Sequence, residues 1–311
     1  MSIFEIRAAY QGGKITKQQY IDEMHKMHNG LFEYAELLRD TDIVRIEIAD
    51  SRVVMETRES GIRIVCDKND KRMAPIEILN FGNYEKADMD MVLRLLKDGQ
   101  TIFDIGANVG WYSINFAKRF PGMRIFAFEP IPSTFSYLQR NIALNQISSI
   151  QANNFGFSDN NGELVFHFHP EGSGSASSAD LMGTGTAQKI HCKVRKLDEY
   201  VAQAGVTGID FMKCDVEGAE LFVLAGGVES IKRFKPMIFA EMLRKWAAKF
   251  NYHPNQIIEL MAGMGYRCFV SRDNRLTELA NMDDQTSETN FFFLHPVAHA
   301  AKIKELTAVQ N

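Results

Sequence analysis

The sequence predicts an α/β fold: a parallel sheet with helices on both faces, carrying a small α+β extension at its N-terminal end. Three observations predict it. From residue 101 onward, apolar strand-like runs alternate with helical patterns, as a parallel sheet requires. Residues 101–110, T-I-F-D-I-G-A-N-V-G, read as a strand, a glycine turn and the start of a helix, the opening of a nucleotide-type binding unit. The first 80 residues follow another pattern, helical to about residue 40 and then alternating polar with apolar.

The bulk numbers agree with one well-buried domain plus an appendage: 311 residues, 45% apolar and 24% charged. A formal charge of −4 gives no footprint for a nucleic acid or an anionic membrane. No charged-then-apolar leader follows Met1, and no apolar run approaches the ~18 residues of a membrane span, so a cytoplasmic protein is expected. Cys66, Cys192, Cys214 and Cys268 sit in strand-like runs with no metal spacing between them, which predicts buried reduced thiols.

Taken in order, Thr16 with Gln19 fits a capping box and starts a helix near Lys17. Tyr20, Met24, Met27, Leu31, Tyr34 and Leu38 continue it as one apolar stripe, with Asn29-Gly30 a point where it could break into two shorter helices. His25 and His28 lie close on such a helix, but no carboxylate or cysteine completes a metal site with them. Residues 43–67 alternate through I-V-R-I-E-I, R-V-V-M-E-T and G-I-R-I-V-C, a three-stranded antiparallel meander, and 69–75 read as a connection. Residues 1–80 therefore form a cap or dimerisation unit, 81–296 the main domain and 297–311 a C-terminal tail. Within the main domain, strands are expected near 101–105, 124–128, 150–155, 209–214, 236–241 and 266–270. Helices fall near 85–97, 111–119, 132–145, 218–225 and 254–264. Strands 163–168 and 190–195 flank the Gly/Ser stretch 172–178 as an antiparallel insertion, and N-F-F-F-L-H at 290–295 is the last strand.

The chemistry gathers at strand ends, where open α/β sheets bind ligands. Asp104, Gly106, Asn108 and Gly110 make the glycine turn, which alone is also compatible with a tight turn that binds nothing. Glu129, 25 residues beyond Asp104 and fixed by Pro130, is placed to accept hydrogen bonds from a ribose diol. Asn153, Asn154 and Phe155, then Ser158-Asp159, offer polar groups and an aromatic face for an adenine ring, or simply a turn into the insertion. The strand I-D-F-M-K-C delivers Asp215 and Glu217, with Gly218 opening the next helix, and P-M-I-F-A-E delivers Glu241. His167, His169 and His253 could approach the same edge, though each singly reads as a surface histidine. No metal is expected.

Together, D-I-G-A-N-V-G-W-Y-S, F-E-P and M-K-C-D-V-E-G-A-E resemble the FkbM family of S-adenosylmethionine-dependent methyltransferases. G-N-Y-E at 82–85 and P-x-I-x-x-E at 236–241 also fit, and the likeness covers about residues 80 to 295 but not 1–80. It implies a class I, Rossmann-like sheet of seven strands with the last antiparallel, N-F-F-F-L-H lying between the 236–241 and 266–270 strands. By matching position, Asp104, Gly106, Asn108 and Gly110 would line the methionine end of S-adenosyl-L-methionine and Glu129 would bind its ribose. Asn154 or Ser158-Asp159 would lie by the adenine, and Asp215 and Glu217 would face the methionine moiety or the acceptor. The resemblance implies O-methylation of a hydroxyl on a sugar, glycan or polyketide-like natural product. No catalytic residue follows from it; strand-end acids whose pKa is raised by burial or by neighbouring carboxylates suit a general base, giving Asp215, Glu241 and Glu217 as candidates in that order.

The 172–178 stretch is either a plain loop or a lid closing over cofactor and acceptor. A nicotinamide-dependent oxidoreductase is a rival, but no G-x-G-x-x-G follows any strand here. A second rival is a non-catalytic S-adenosylmethionine-binding scaffold. Residues 1–80 either shape the acceptor pocket or form a homodimer interface through the stripe from Tyr20 to Leu38.

Overall fold

The computed structural model describes residues 1–172, 174, 176–181 and 187–308. The extension comprises helices α1 (Ile3–Gln11) and α2 (Lys17–Leu37), strands β1 (Ile43–Ala49), β2 (Arg52–Thr57) and β3 (Arg63–Cys66), and helix α3 (Ala74–Phe81). The main domain then runs α4 (Lys86–Leu95), β4 (Thr101–Ile105), α5 (Trp111–Arg119), β5 (Arg124–Phe128), α6 (Pro132–Leu144) and β6 (Ile150–Asn153). An insertion of β7 (Gly156–Phe157), β8 (Gly162–Phe168) and β9 (Gln188–Arg195) follows, then α7 (Leu197–Gln203) and β10 (Phe211–Cys214). The chain continues through α8 (Glu220–Ala225), α9 (Val228–Phe234), β11 (Met237–Glu241), α10 (Arg244–Ala247) and α11 (Asn255–Gly263). It closes with β12 (Arg267–Arg272), β13 (Arg275–Glu278), β14 (Asn290–Leu294) and α12 (Ala300–Thr307).

The central sheet has the order β13-β12-β14-β11-β10-β4-β5-β6. Strands β11, β10, β4, β5 and β6 pair in parallel, while β14 is antiparallel to both β11 and β12. The last strand thus lies where the resemblance placed it. Its three phenylalanines show why it belongs at the centre: Phe291 and Phe293 enter the core on one face and Phe292 the core on the other, all fully buried. Among the described residues the sheet holds eight strands rather than seven. β13 folds back on β12 through Asp273 and Asn274, both at positive φ, the two-residue hairpin turn that Asp and Asn tolerate.

Three other expectations need correction. Helix α2 runs unbroken through Asn29-Gly30, because one interior glycine costs a helix only about 1 kcal/mol. The 69–75 connection ends in α3, where Pro75 occupies the first turn; a proline there starts a helix rather than stopping one. The 150–155 strand stops at Asn153, and Gly156–Phe157 pairs instead with β9 in the insertion. The capping box of Thr16 and Gln19, the meander β1-β2-β3 and the antiparallel pair β8-β9 form as expected. The described part of the tail, 297–308, is anchored: Leu306 of α12 is fully buried, and Lys302 donates to the Arg94 carbonyl at 2.6 Å.

Asn141 of α6 and Asn145, which caps that helix, bind the extension to the main domain. Asn141 Oδ1 accepts the Val65 N–H at 2.9 Å, and Asn145 exchanges two bonds with the Arg63 backbone. Asn141 also donates to the Val109 carbonyl in the glycine turn, so one buried side chain ties the edge of β3 to the binding loop. Among the described residues, no helix is long and apolar enough to cross a membrane.

Candidate active site

Strand order reverses between β4 and β10, and a cavity of about 620 Å³ opens there at the carboxyl ends. Gly106 forms its floor at φ +79°, and a Cβ on it would lie 1.8 Å from the Asp215 carbonyl oxygen. The ends of β4 and β10 approach so closely that only glycine fits. Gly106 and Ala107 both donate their N–H to the Phe128 carbonyl, at 3.0 and 2.9 Å. Asn108 lines the cavity in the left-handed region at φ +48°. Gly110 does not line it; it packs against α6, where a Cβ would come within 2.7 Å of Leu138.

Beneath that floor Asp104 is completely buried and is absent from the cavity wall. Its Oδ2 accepts the Ser113 hydroxyl at 2.6 Å and the Ser113 N–H at 3.2 Å. Its Oδ1 has no hydrogen-bond partner and sits 4.0 Å from Lys213 Nζ. Burial raises the Asp104 carboxyl, with Lys213 and Ser113 opposing. Lys213, only 3% exposed, donates to Asp215 Oδ2 at 2.9 Å and lies 4.9 Å from the centre of the Tyr112 ring. Burial alone would lower its pKa, but Asp215 and Asp104 together lift it above the ordinary lysine range. Lys213 is therefore a fixed charge, and sequence reasoning gave it no role. The signal was present: a lysine inside a strand whose other residues are all apolar and buried.

Glu129 lines the cavity at 6% exposure, its Oε1 accepting the Ile131 N–H and its Oε2 the Asn108 N–H, at 2.9 and 3.0 Å. Burial outweighs these bonds and pushes it up to about 7. Asn154 is exposed and stays outside the cavity; its amide holds the Glu129 and Pro130 carbonyls at 2.8 and 3.1 Å. Ser158 and Asp159 do line it, the Ser158 hydroxyl donating to Asp159 at 3.2 Å. The aromatic wall here is Phe157; Phe155 turns into a cluster with Phe128, Tyr200 and Arg195.

Across the cavity, carboxylate oxygens of Asp215, Glu217 and Glu241 lie within 4.8 Å of one another. Burial, then Asp215 and Glu220, push Glu217 up to about 9, while burial, then Asp215 and Glu217, hold Glu241 well above its usual range. The sequence pointed to no metal, yet hard oxygen donors so arranged are a set that a divalent cation could take. Glu220, fully buried, accepts the Val216 and Gly218 N–H groups at 3.0 Å each and so shapes the loop carrying Glu217. His167, His169 and His253 do not reach the cavity.

The far walls come from unexpected places. Arg72, Met73 and Ala74 of the extension line the cavity, as do Tyr84 and Glu85 just before α4, and Trp246 and Phe250 face them. Of the Gly/Ser stretch, Ser173 and Ser175 lie outside the described residues. Gly174, Ala176 and Ser178 line the cavity, and the Ser177 hydroxyl donates to the Glu217 carbonyl at 2.8 Å.

The methyltransferase FkbM domain matches residues 104–268, more than half of the chain. The 2-O-methyltransferase NoeI of Sinorhizobium fredii is 30% identical over 48% of this chain and 65% of its own length. The 31-O-demethyl-FK506 methyltransferase FkbM of Streptomyces tacrolimicus is 28% identical over 42% and 60%. The hexuronic acid methyltransferase AglP of Haloferax volcanii is 26% identical over 47% and 59%. The chain thus spans about three fifths of the length of the curated relatives it matches.

Proposed function

Because the chain belongs to the FkbM methyltransferase family, we propose that it is an S-adenosylmethionine-dependent methyltransferase acting on a hydroxyl of a sugar, glycan or natural product. The observation that carries this is the meeting of the Gly106 turn, Glu129 and Asp215 around one cavity at the sheet's switch point. The residues fit the cofactor. A carboxylate offers about four lone-pair sites, and backbone N–H groups occupy only one on each Glu129 oxygen, leaving acceptors for two ribose hydroxyls. Ser158 and Asp159 would meet the adenine edge beside Phe157, and Gly106 and Asn108 the methionine end. Asp104, Gly110 and Asn154 support these positions from behind, through Ser113, α6 and the Glu129 carbonyl.

When bound, S-adenosylmethionine supplies an electrophilic methyl group. The protein's task is then to orient the acceptor oxygen, an effect worth up to ~7–11 kcal/mol, and to take its proton. Asp215 leads as base: Lys213 holds it in place by a 2.9 Å bond, and it borders the cavity. Glu241 and Glu217 follow: burial and neighbouring carboxylates push Glu217 up to about 9, which keeps it protonated at neutral pH in the free protein, and raise Glu241 by the same causes. The aromatic side chains Trp246, Phe250 and Trp111 beside these acids suit a polyol, whose C–H faces pack on rings while its hydroxyls bond to carboxylates. The relatives named for 2-O-methylation, for 31-O-demethyl-FK506 and for a hexuronic acid support such an acceptor. The net charge of −4 favours it over nucleic acid. Four free cysteines fit a reducing cytoplasm.

We assign residues 81–296 to the methyltransferase unit and 297–311 to a tail. Residues 1–80 serve as a cap, and α2, which has no buried residue, as the seam of a homodimer. The test is S-adenosylhomocysteine formation against a panel of sugar, glycan and polyketide hydroxyls, with calorimetry of S-adenosylmethionine beside NAD. Asp215→Asn should lower turnover about 10²–10⁴-fold and change its pH dependence. Full turnover with an unchanged pH profile would remove Asp215 from the role.

A further inference from the structure

Glu85 stands where the N-terminal part of the chain enters the cavity wall, one residue before α4 and in a left-handed conformation at φ +48°. It lines the same cavity as Gly106, Asn108, Lys213 and Asp215. Tyr112, the second residue of α5, donates its hydroxyl to Glu85 Oε2 at 2.7 Å, and the Tyr84 hydroxyl also favours the ionised carboxylate. Neither partner is a cation. The buried ammonium closest in the site, Lys213, is committed to Asp215 at 2.9 Å and Asp104 at 4.0 Å. Burial raises Glu85 above the ordinary carboxylate range, with Tyr112 and Lys213 opposing and Asp215 adding to the rise. A carboxylate bonded by a tyrosine hydroxyl, facing a cavity and in no ion pair of its own, is a receptor for a cation.

The start of α5, which borders the cavity through Trp111 and Tyr112, has the opposite polarity. The turn 106–110 leads into α5, a helix of nine residues whose dipole favours a negative group; its Ser113 N–H is given to Asp104. Tyr112 belongs to that helix and holds Glu85, so the two poles are locked at a fixed separation. A zwitterion matches them, and the amino-acid end of S-adenosylmethionine is one. We infer that Glu85 receives the α-ammonium group of the cofactor, while the turn at the start of α5 faces its carboxylate. This rests on the cofactor reading above and adds to it a recognition group for the amino-acid end.

The experiment compares two ligands on the full chain by calorimetry: S-adenosylhomocysteine, which carries the ammonium, and 5′-methylthioadenosine, which lacks the whole amino-acid end. Glu85→Gln is isosteric and keeps an acceptor for Tyr112. It should weaken S-adenosylhomocysteine roughly tenfold to a hundredfold, the range for a charge-assisted bond, and leave methylthioadenosine within about twofold. Tyr112→Phe keeps the carboxylate but loosens it, and should show the same ligand selectivity with a smaller loss; it carries the test should Glu85→Gln misfold. Equal losses for both ligands would make Glu85 a purely structural residue and overturn the inference, as would no loss for either. If the unaltered protein binds neither ligand, the cofactor reading itself falls, and this inference with it.

Discussion

Glu129 accepts a backbone N–H on each oxygen, yet burial still lifts it to about 7. In the role proposed for it, protonation would turn one oxygen into a donor and remove an acceptor for the ribose, whereas the ionised form would accept both hydroxyls. The sign follows: S-adenosylhomocysteine binding should strengthen as pH rises through about 7, by roughly tenfold between pH 6 and pH 8. Glu129→Gln should weaken binding and flatten that profile, as titration calorimetry across the range would read. A profile that stays steep in the variant would assign the titration to another group. The place of Glu129 and Asp215 on the cavity wall was legible in the sequence because each follows an apolar strand, and strand ends in such folds border the ligand crevice. Lys213 and Glu85 were not assigned. Lys213 sits within a strand, and only the fold shows it between Asp104 and Asp215. Glu85 lies before a helix, far from the sheet edge in sequence, and only Tyr112 reveals which way it faces. Asp104 shows the converse: its position in the motif pointed to the ligand, but the closeness of β4 to β10 buries it below the floor.

Helix α2 is the element whose sequence and surroundings disagree. Its apolar stripe predicts a buried face, yet Met27, Leu31 and Tyr34 are exposed, as are Ile21 and Phe32 beside them. At 21 residues it is about 31 Å long, and short helices gain most of their stability from packing. A helix of that length paired with its copy approaches the ~800 Å² per partner of a standard interface. Light scattering on the eluting protein should therefore report a dimer, and Leu31→Arg together with Phe32→Asp a monomer. Because both side chains are exposed within one chain, the variant monomer should keep its secondary structure. A wild-type monomer at high micromolar concentration would reject the seam. Elements marked by strong periodicity were read well, including the central strands and the meander. Those that turn on local chemistry were missed: Pro75 as a helix starter, Asp273-Asn274 as a hairpin.

At the scale of the whole molecule, the extension is part of the site rather than an attachment to it. Arg72, Met73 and Ala74 line the cavity, and Asn141 links Val65 of β3 to Val109 in the glycine turn. No sequence pattern announces that bridge, because it joins residues 76 and 32 positions apart through a side chain that reads as an ordinary helical asparagine. Asn141 is fully buried, so Asn141→Leu strands one N–H and one carbonyl without partners. Each unsatisfied buried group costs about 1–3 kcal/mol, which predicts a loss of roughly 2–6 kcal/mol in the full chain, measurable by urea unfolding. Coupling between extension and site adds a second expectation. Hydrogen exchange at the Val65 amide should quicken, and S-adenosylhomocysteine affinity should fall in the same variant although Asn141 does not line the cavity. A variant that loses stability while keeping its affinity would show that the extension braces the fold without setting the binding loop. A joint loss would mean that residues 1–80 cannot be exchanged without retuning the pocket.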